Sequence, residues 1–252
     1  MSNDRSGHTP APTPGQGRPV APDGDRNVSS RTELDAFLSQ VSALAPAAKT
    51  GGRGRLIFAL DATMSRQPTW DQACVLQADM FREAAAGGGL DIQLVYYRGL
   101  AECRASPWAA DAERLGALMA RIDCRGGQTQ IARVLSHAVH ESDRAKIGAL
   151  VFIGDAMEEP VDEVCARAGE LGLRGVPAFM FQEGHDPLCE RTFREVARLT
   201  RGAYCRFAPG AAHELGELLR AAAAYAAGGL KALENLQAKR SSGALRLLEQ
   251  LK

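Results

Sequence analysis

Short apolar segments alternate with amphipathic segments along the chain from about residue 55 onward. Residues 55–60 and 147–153 are nearly continuous apolar runs, as expected of strands buried on both faces of a sheet. Further strands are predicted at 90–97, 100–105, 176–181 and 203–207. Helical periodicity predicts helices at about 70–86, 110–122, 129–142, 160–172, 188–200 and 211–226. This alternation predicts an α/β fold, a doubly wound and mostly parallel six-stranded sheet with helices on both faces.

One strand of this sheet is expected to run against the others. Only the short turn at Arg98-Gly99 separates the second predicted strand from the third. A parallel connection needs a crossover of a dozen or more residues, whereas a turn of two residues suits a hairpin. The third strand is therefore predicted to be an antiparallel edge strand.

The pattern divides the chain into four segments. Residues 1–30 are rich in Pro and Gly and are predicted to form a disordered tail, and 31–54 an N-terminal helix with a linker. The α/β domain follows at 55–227. Residues 228–252 form a Leu-rich helical extension that either packs on its own domain or docks in the groove of a partner. Its last part presents Leu245, Leu248 and Leu251 on one stripe, with Leu247 beside it.

Composition narrows the function classes. Lys and Arg together number 30, as do Asp and Glu, so the balanced charge argues against broad binding to nucleic acid or an anionic membrane. No apolar run reaches the length of a membrane span, and the polar N-terminal segment lacks the apolar region of a signal peptide. A cytoplasmic location is expected. The six cysteines form no C-x-x-C pair, which favours reduced thiols over a zinc ribbon.

Candidate chemistry lies in three loops that follow predicted strands or open a helix. The first strand ends in Asp61-Ala62-Thr63-Met64-Ser65, a helix opens with Gly126-Gly127-Gln128-Thr129-Gln130-Ile131, and the fourth strand ends in Ile153-Gly154-Asp155. Ligands of doubly wound sheets bind at the carboxyl ends of the strands. These loops offer carboxylate and hydroxyl oxygens, which suit hard cations such as Mg²⁺, Mn²⁺ or Ca²⁺.

The order of these residues resembles a known site. Asp61, Thr63, Ser65, Thr129 and Asp155 are similar to the metal-ion-dependent adhesion site (MIDAS) of von Willebrand factor A (VWA) domains and integrin I domains, which has D-x-S-x-S, a distant Thr and a distant Asp. The resemblance implies that the three hydroxyls bind the cation directly. It implies that the two carboxylates act through water or orient the hydroxyls. The cation then stays electrophilic and captures an Asp or Glu carboxylate of a partner protein.

The resemblance spans roughly residues 55–226 and implies a VWA-type, Rossmann-like fold. Two positions depart from the family pattern. Thr63 stands where the family has its first Ser, which keeps the hydroxyl and adds a methyl group. Ala156 follows Asp155, where many members have Gly.

The implied function is a non-enzymatic, divalent-metal-dependent protein-interaction module in a bacterial-type cytosol. Intracellular members of the family act in multi-protein assemblies, including those with AAA+ ATPases. One alternative is a structural scaffold with a vestigial metal site that binds through its tails. Another is a phosphohydrolase that uses Asp61 as nucleophile, although Thr63 stands where that chemistry needs a second Asp.

Several neighbouring residues have two interpretations. Met64, Arg66, Trp70 and Gln128 are candidates for the rim of the site, and Trp70 is equally a candidate for the core. The pair Glu158 and Glu159 either tunes the metal or consists of exposed acids in the first turn of a helix. The segment containing His137, His140 and Glu141 either binds zinc or forms a solvated helix face.

Overall fold

The computed structural model of the chain describes residues 52–239 and 241–251. The predicted tail at 1–30 and all but the end of the 31–54 segment lie outside the described residues. A six-stranded sheet has the order β3-β2-β1-β4-β5-β6, and every neighbouring pair is parallel except β2 and β3. The predicted fold class, including the antiparallel edge strand, is confirmed.

The strands lie close to their predicted positions. Their bounds are β1 Gly54–Asp61, β2 Leu90–Arg98, β3 Glu102–Ala105, β4 Ala149–Gly154, β5 Ala178–Glu183 and β6 Ala203–Phe207. In the central strand β1, Leu56, Phe58 and Leu60 pack into one core layer, while Ile57 and Ala59 pack into the other. Successive side chains of a strand point to opposite faces, so a continuous apolar run fills both layers.

Seven α-helices within the described residues cover the two faces. Their bounds are α1 Gln67–Ala84, α2 Ala112–Met119, α3 Ile131–Arg144, α4 Val161–Leu173, α5 Pro187–Thr200, α6 Ala212–Ala238 and α7 Ser242–Leu248. Helices α1, α2, α6 and α7 bury apolar side chains in one layer, and α3, α4 and α5 in the other. None of the helices in this part of the chain has the length and apolar character needed to cross a bilayer.

The C-terminal segment packs on its own domain. Helix α6 runs through the predicted boundary at 227/228 and kinks at Gly229, whose φ is 67°. The Gln250 amide donates to the Tyr204 carbonyl and accepts from the Tyr204 N–H, both at 2.8 Å. These bonds satisfy backbone groups on the edge strand β6, where an exposed edge would invite pairing with another chain.

The apolar face of α7 differs from the predicted stripe. Leu247 and Leu248 are buried against the domain, whereas Leu245 is 42% exposed. The predicted stripe of Leu245, Leu248 and Leu251 is wrong at Leu245, because α7 begins only at Ser242 and turns a different face inward. Self-packing, one of the two interpretations of this segment, is the one observed.

Truncation of Leu247 provides a test of this packing. We expect Leu247→Ala to lower the free energy of unfolding by about 2–3 kcal/mol, the low end for a buried leucine, because a terminal helix relaxes around the cavity. The matched variant Leu245→Ala removes a side chain that is largely in solvent and should change stability little. Urea unfolding measures both, and equal losses would contradict the observed orientation of α7.

Candidate functional site

The carboxyl ends of β1 and β4 lie side by side at the point where the strand order reverses. Leu60 of β1 pairs with Ile153 of β4, so Asp61 lies next to the end of the neighbouring strand. On the other side, Asp61 pairs with Tyr97 at the end of β2. A doubly wound sheet opens a crevice at this position. The topology therefore brings the loops after Asp61 and Asp155 together, as the sequence predicts.

Hydrogen bonds hold the Thr129 loop against both of its neighbours. The Arg125 N–H donates to the Ala62 carbonyl at 2.9 Å. The Thr129 N–H donates to Glu158 Oε2, and the Glu158 N–H donates to Thr129 Oγ1, each at 3.0 Å. Since Glu158 is three residues beyond Asp155, Thr129 is bound to the Asp155 loop. All three predicted loops thus meet at one edge of the sheet.

Asp61 lies at the base of this crevice, with two hydroxyls nearer to solvent. Its side chain is only 4% exposed, and its Oδ1 accepts the Thr63 N–H at 2.7 Å. That bond turns the chain into the short 3-10 turn Met64–Arg66. Thr63 is half-buried, Ser65 is exposed, and their hydroxyl oxygens are 3.3 Å apart. The loop therefore presents two neutral oxygens in front of a buried carboxylate.

The local electrostatics disfavour a charged Asp61. The pKa of Asp61 is raised from 3.8 to about 6: burial is the main cause and the nearby Asp155 carboxylate adds to it, while hydrogen bonds from Thr63 and the charge of Arg66 oppose the shift. Burial also raises the pKa of Tyr97 well above its usual value, with the carboxylates of Asp61, Glu159 and Asp155 adding to the effect. Negative charge is therefore concentrated at this end of the sheet.

The pKa shift of Asp61 predicts a pH-dependent stability. Because the folded state binds the Asp61 proton more tightly than the unfolded state, this group stabilises the fold at low pH. That contribution is lost as pH rises through about 6. Between about pH 4 and pH 7 in EDTA, we expect the wild type to lose up to about 3 kcal/mol relative to Asp61→Asn. Urea unfolding at several pH values measures the difference, and a difference independent of pH would contradict the assignment.

The donor set fits a small hard cation. Two neighbouring ligand oxygens of an octahedral Mg²⁺ lie about 3.0 Å apart when the metal–oxygen distances are about 2.1 Å. The Thr63 and Ser65 hydroxyls are 3.3 Å apart, close to that spacing. Among the described residues, the buried Tyr97 hydroxyl beside Asp61 has no hydrogen-bond partner, so it can accommodate one more polar group. The charge and the oxygen atoms at this site are therefore suited to a divalent ion.

The part of the chain that the structure describes shows no metal site built from carboxylates, imidazoles or thiols. Within residues 52–239 and 241–251, no group of three or more His, Cys, Asp or Glu side chains is arranged to hold a metal. The ring of His137 is half-buried and hydrogen-bonds to Gln93 at 2.8 Å, and that of His140 to the Ser136 carbonyl at 3.0 Å. These contacts give no support to a zinc site on α3. A cation at the crevice would depend on the hydroxyls.

Two acids after β4 have a role that the sequence did not reveal. Glu158 binds Thr129, and the Glu159 carboxylate accepts the backbone N–H groups of Ile131 and Ala132 in the first turn of α3. The interpretation of this pair as first-turn acids of their own helix is wrong, because both precede α4: Glu159 contacts the first turn of α3, and Glu158 contacts the loop before it. A carboxylate at a helix N-terminus satisfies unpaired N–H groups and complements the helix dipole.

The predicted rim residues divide into two groups. Met64 is 66% exposed and Gln128 is exposed, as expected at a rim. Trp70 is buried in the core, which confirms its alternative interpretation. Arg66 is also buried, and its guanidinium forms ion pairs with Asp155 and Glu183. Its assignment to the rim is therefore wrong, because its pairing with two carboxylates draws it inward.

Comparisons with known proteins support the fold. No protein-family model matches the chain, and neither does any curated protein. A von Willebrand factor type A protein from Catenulispora acidiphila superposes with a TM-score of 0.56 at 17% identity, covering 70% of this chain and 43% of that one. The chain thus spans less than half of that protein's length.

Two isolated VWA-type domains also match. The SpRpn10 VWA domain has a TM-score of 0.51 at 9% identity, covering 64% of this chain and 90% of that one. The vWF domain of the type V pili tip protein Mfa5 from Porphyromonas gingivalis has the same TM-score and identity, covering 66% and 95%. At such identities the likeness shows the fold alone. The chain has a VWA-like α/β fold.

Proposed function

We propose that this chain is a non-enzymatic protein-interaction module that binds a divalent cation, Mg²⁺ or alternatively Mn²⁺ or Ca²⁺, and through it the carboxylate of a partner protein. The observation that carries the proposal is the pair of accessible hydroxyls, Thr63 and Ser65, in front of the buried Asp61 carboxylate. Thr129 and Asp155 complete the ligand set, on loops joined to the first by hydrogen bonds and an ion pair.

The chain's own residues would divide the work of holding the ion. The hydroxyls of Thr63, Ser65 and Thr129 are neutral donors, and Asp61 and Asp155 add carboxylates, Asp61 buried and Asp155 partly exposed. Asp61 fixes the loop by accepting the Thr63 N–H, and Glu158 fixes Thr129 through two hydrogen bonds. When bound, the ion would act as a Lewis acid, and the partner's carboxylate would complete its coordination shell. Because few of its ligands are charged, the bound ion remains strongly attractive to an outside anion.

The surface around the crevice is suited to a protein partner. Met64 lies in the Asp61 loop and is 66% exposed, and Leu100, in the turn after β2, is 78% exposed. Leu100 follows Gly99, whose carbonyl accepts the Gln128 N–H at 3.1 Å. Exposed apolar side chains beside a carboxylate-binding point favour an Asp or Glu flanked by apolar residues. We extend the proposal to a partner within a multi-protein assembly, such as an AAA+ ATPase in a bacterial cytosol.

Capture of a partner in the presence and absence of a chelator tests this function. The immobilised chain is exposed to native lysate with Mg²⁺ or with EDTA, and the bound proteins are compared. We expect at least one specific protein to bind in Mg²⁺ and to be released by EDTA. The Thr129→Val variant should lose that protein, because it lacks one hydroxyl ligand.

A matched variant separates loss of the ligand from loss of stability. The Thr200 hydroxyl, like that of Thr129, is buried and accepts a backbone N–H, in this case from Ala178 at 3.1 Å. It lies at the end of α5, away from the site loops. Thr200→Val should therefore destabilise the chain to a similar degree and still capture the partner. Equal loss in both variants would contradict a specific role of Thr129.

Two further measurements discriminate the scaffold and the phosphohydrolase from the proposed module. A partner that binds equally in EDTA, and equally to Asp155→Ala, would indicate a scaffold with a vestigial site. Phosphatase activity that disappears in Asp61→Asn would indicate the phosphohydrolase. For the scaffold, binding through α7 would have to use its exposed side, since Leu247 and Leu248 are buried against the domain.

A further inference from the structure

Arg66 is a buried cation at the centre of the candidate site. It ends the short turn that carries the Ser65 hydroxyl, and its side chain is only 5% exposed. Its Nη1 lies 3.3 Å from Asp155 Oδ2, and its Nη2 contacts Glu183 Oε2. Asp155 follows β4 and Glu183 ends β5, so one guanidinium joins the ends of two strands to the loop after β1.

The two ion pairs of Arg66 differ in character. Glu183 is buried and also accepts the Thr69 hydroxyl, so its carboxylate is enclosed by donors from the start of α1. Asp155 is 29% exposed and lies at a longer distance from the guanidinium. Since an unpaired buried arginine is strongly unfavourable, the Glu183 pair anchors Arg66 in place. The Asp155 pair is the one that an incoming cation at the crevice would perturb.

The charges around Arg66 set the electrostatic potential of the site. Asp61, Asp155 and Glu183 contribute three negative charges when ionised, and Arg66 contributes one positive charge. A single divalent cation would balance the remaining excess of two negative charges. Without Arg66, the same crevice would present three uncompensated carboxylates and would attract cations more strongly.

We propose that Arg66 is an internal counter-ion that holds Asp155 beside Asp61 in the metal-free chain and lowers the affinity of the site for a divalent ion. This inference rests on the proposed function and adds its regulation. Arg66 preserves the site when no metal is bound. Arg66 also makes tight metal binding depend on the partner. Its positive charge weakens the electrostatic attraction of the site for the cation, and the partner's carboxylate restores that attraction.

Mn²⁺ binding by three variants provides the test. The dissociation constant is measured at low ionic strength by electron paramagnetic resonance of free Mn²⁺, because screening by salt weakens such effects. Arg66→Met should bind Mn²⁺ roughly tenfold more tightly than the wild type. Arg66→Lys keeps the charge and should remain near the wild type. The control Arg167→Met removes an equal charge from an ion pair with Glu170 on α4 and should change nothing.

A double variant covers the case in which Arg66→Met fails to fold. Arg66→Met combined with Glu183→Gln removes both charges of the buried pair, a replacement that proteins often tolerate. The guanidinium contacts Asp155 directly and also holds Glu183, so the double variant takes the positive charge off Asp155. Its summed charge equals that of the wild type, but the positive charge in direct contact with Asp155 is gone, so it should bind Mn²⁺ more tightly than the wild type and less tightly than Arg66→Met. The increase in melting temperature from the metal-free sample to the sample with Mn²⁺ should be larger for this variant than for the wild type.

The outcomes separate this inference from the proposed function. Wild-type binding of Mn²⁺ with an unchanged or weaker affinity in both Arg66→Met variants would overturn the role of Arg66 alone. Binding by the Arg66→Met variants but not by the wild type, even when a short peptide containing Glu is added to supply the partner's carboxylate, would support Arg66 as counter-ion and overturn the proposed metal-dependent function. Absence of binding in every variant would overturn both.

Discussion

Replacing Gly127 with alanine is expected to weaken divalent-ion binding by about 10- to 100-fold, the range typical for groups that orient metal ligands. A Cβ at this position would lie 2.3 Å from the Gly99 N and 2.5 Å from the Gly99 carbonyl oxygen. Both are backbone atoms of the turn after β2, so the loop that carries Thr129 must move. Isothermal titration with Mg²⁺ or Mn²⁺ measures the loss.

The neighbouring glycine provides a control for this prediction. A Cβ on Gly126 would meet no atom within 4 Å. Gly126→Ala should therefore leave divalent binding and stability nearly unchanged, although it lies in the same loop. If Gly127→Ala binds the ion as tightly as Gly126→Ala, then the close approach of Gly127 to Gly99 does not position Thr129.

Removal of the Glu183 carboxylate is expected to lower the free energy of unfolding by about 3–5 kcal/mol, the usual effect of breaking a buried ion pair. Glu183→Ala leaves Arg66 buried with only the longer contact to Asp155, and it also removes the acceptor of the Thr69 hydroxyl. Urea unfolding of the metal-free chain measures the effect.

A surface ion pair gives the matched comparison. Glu195 pairs with Arg198 on the exposed side of α5. Pairs in solvent gain little because water and salt screen them. Glu195→Ala should therefore change stability far less than Glu183→Ala. Similar losses in both variants would show that the Arg66–Glu183 pair is not the buried anchor that the structure indicates.

The strands of the sheet could be predicted from the sequence because each strand carries a local signal. The apolar runs at β1 and β4 need two buried faces, and the short Arg98-Gly99 turn allows only an antiparallel neighbour. The loop positions of Asp61 and Asp155 followed from the rule that ligand loops extend from the carboxyl ends of strands, and Thr129 from the resemblance to the MIDAS pattern. The structure brings those loops together, whereas metal binding by them stays a prediction.

Contacts between distant segments were not available from the sequence. Glu159 caps α3 from a loop that lies 28 residues away from Ile131 along the chain, and Arg66 reaches Glu183 across 117 residues. In the sequence, Glu159 looks like an acid beside its own helix, and Arg66 like an exposed loop residue. Only the packing of β4 beside β1, and of β5 beside β4, gives these side chains their partners.

The predicted boundary at 227/228 lies inside α6, where the helix kinks and continues. The Gly228-Gly229 pair lies at this boundary, between the predicted helix at 211–226 and the predicted helical extension at 228–252, and Gly229 adopts a positive φ. The helix nevertheless resumes, because Leu233 and Leu236 bury their side chains against the same core layer. Burial of apolar side chains outweighs the modest conformational preference of glycine.

Water-proton relaxation of Mn²⁺ in the presence of the chain tests the central claim most directly. We expect one Mn²⁺ per chain, lost in Asp155→Ala, with a relaxation enhancement that falls when a short peptide containing Glu is added. The same peptide with Gln should leave the enhancement unchanged, because it offers no carboxylate to replace a bound water. Stoichiometric Mn²⁺ binding that Asp155→Ala retains, or an equal response to both peptides, would contradict capture of a carboxylate at this site.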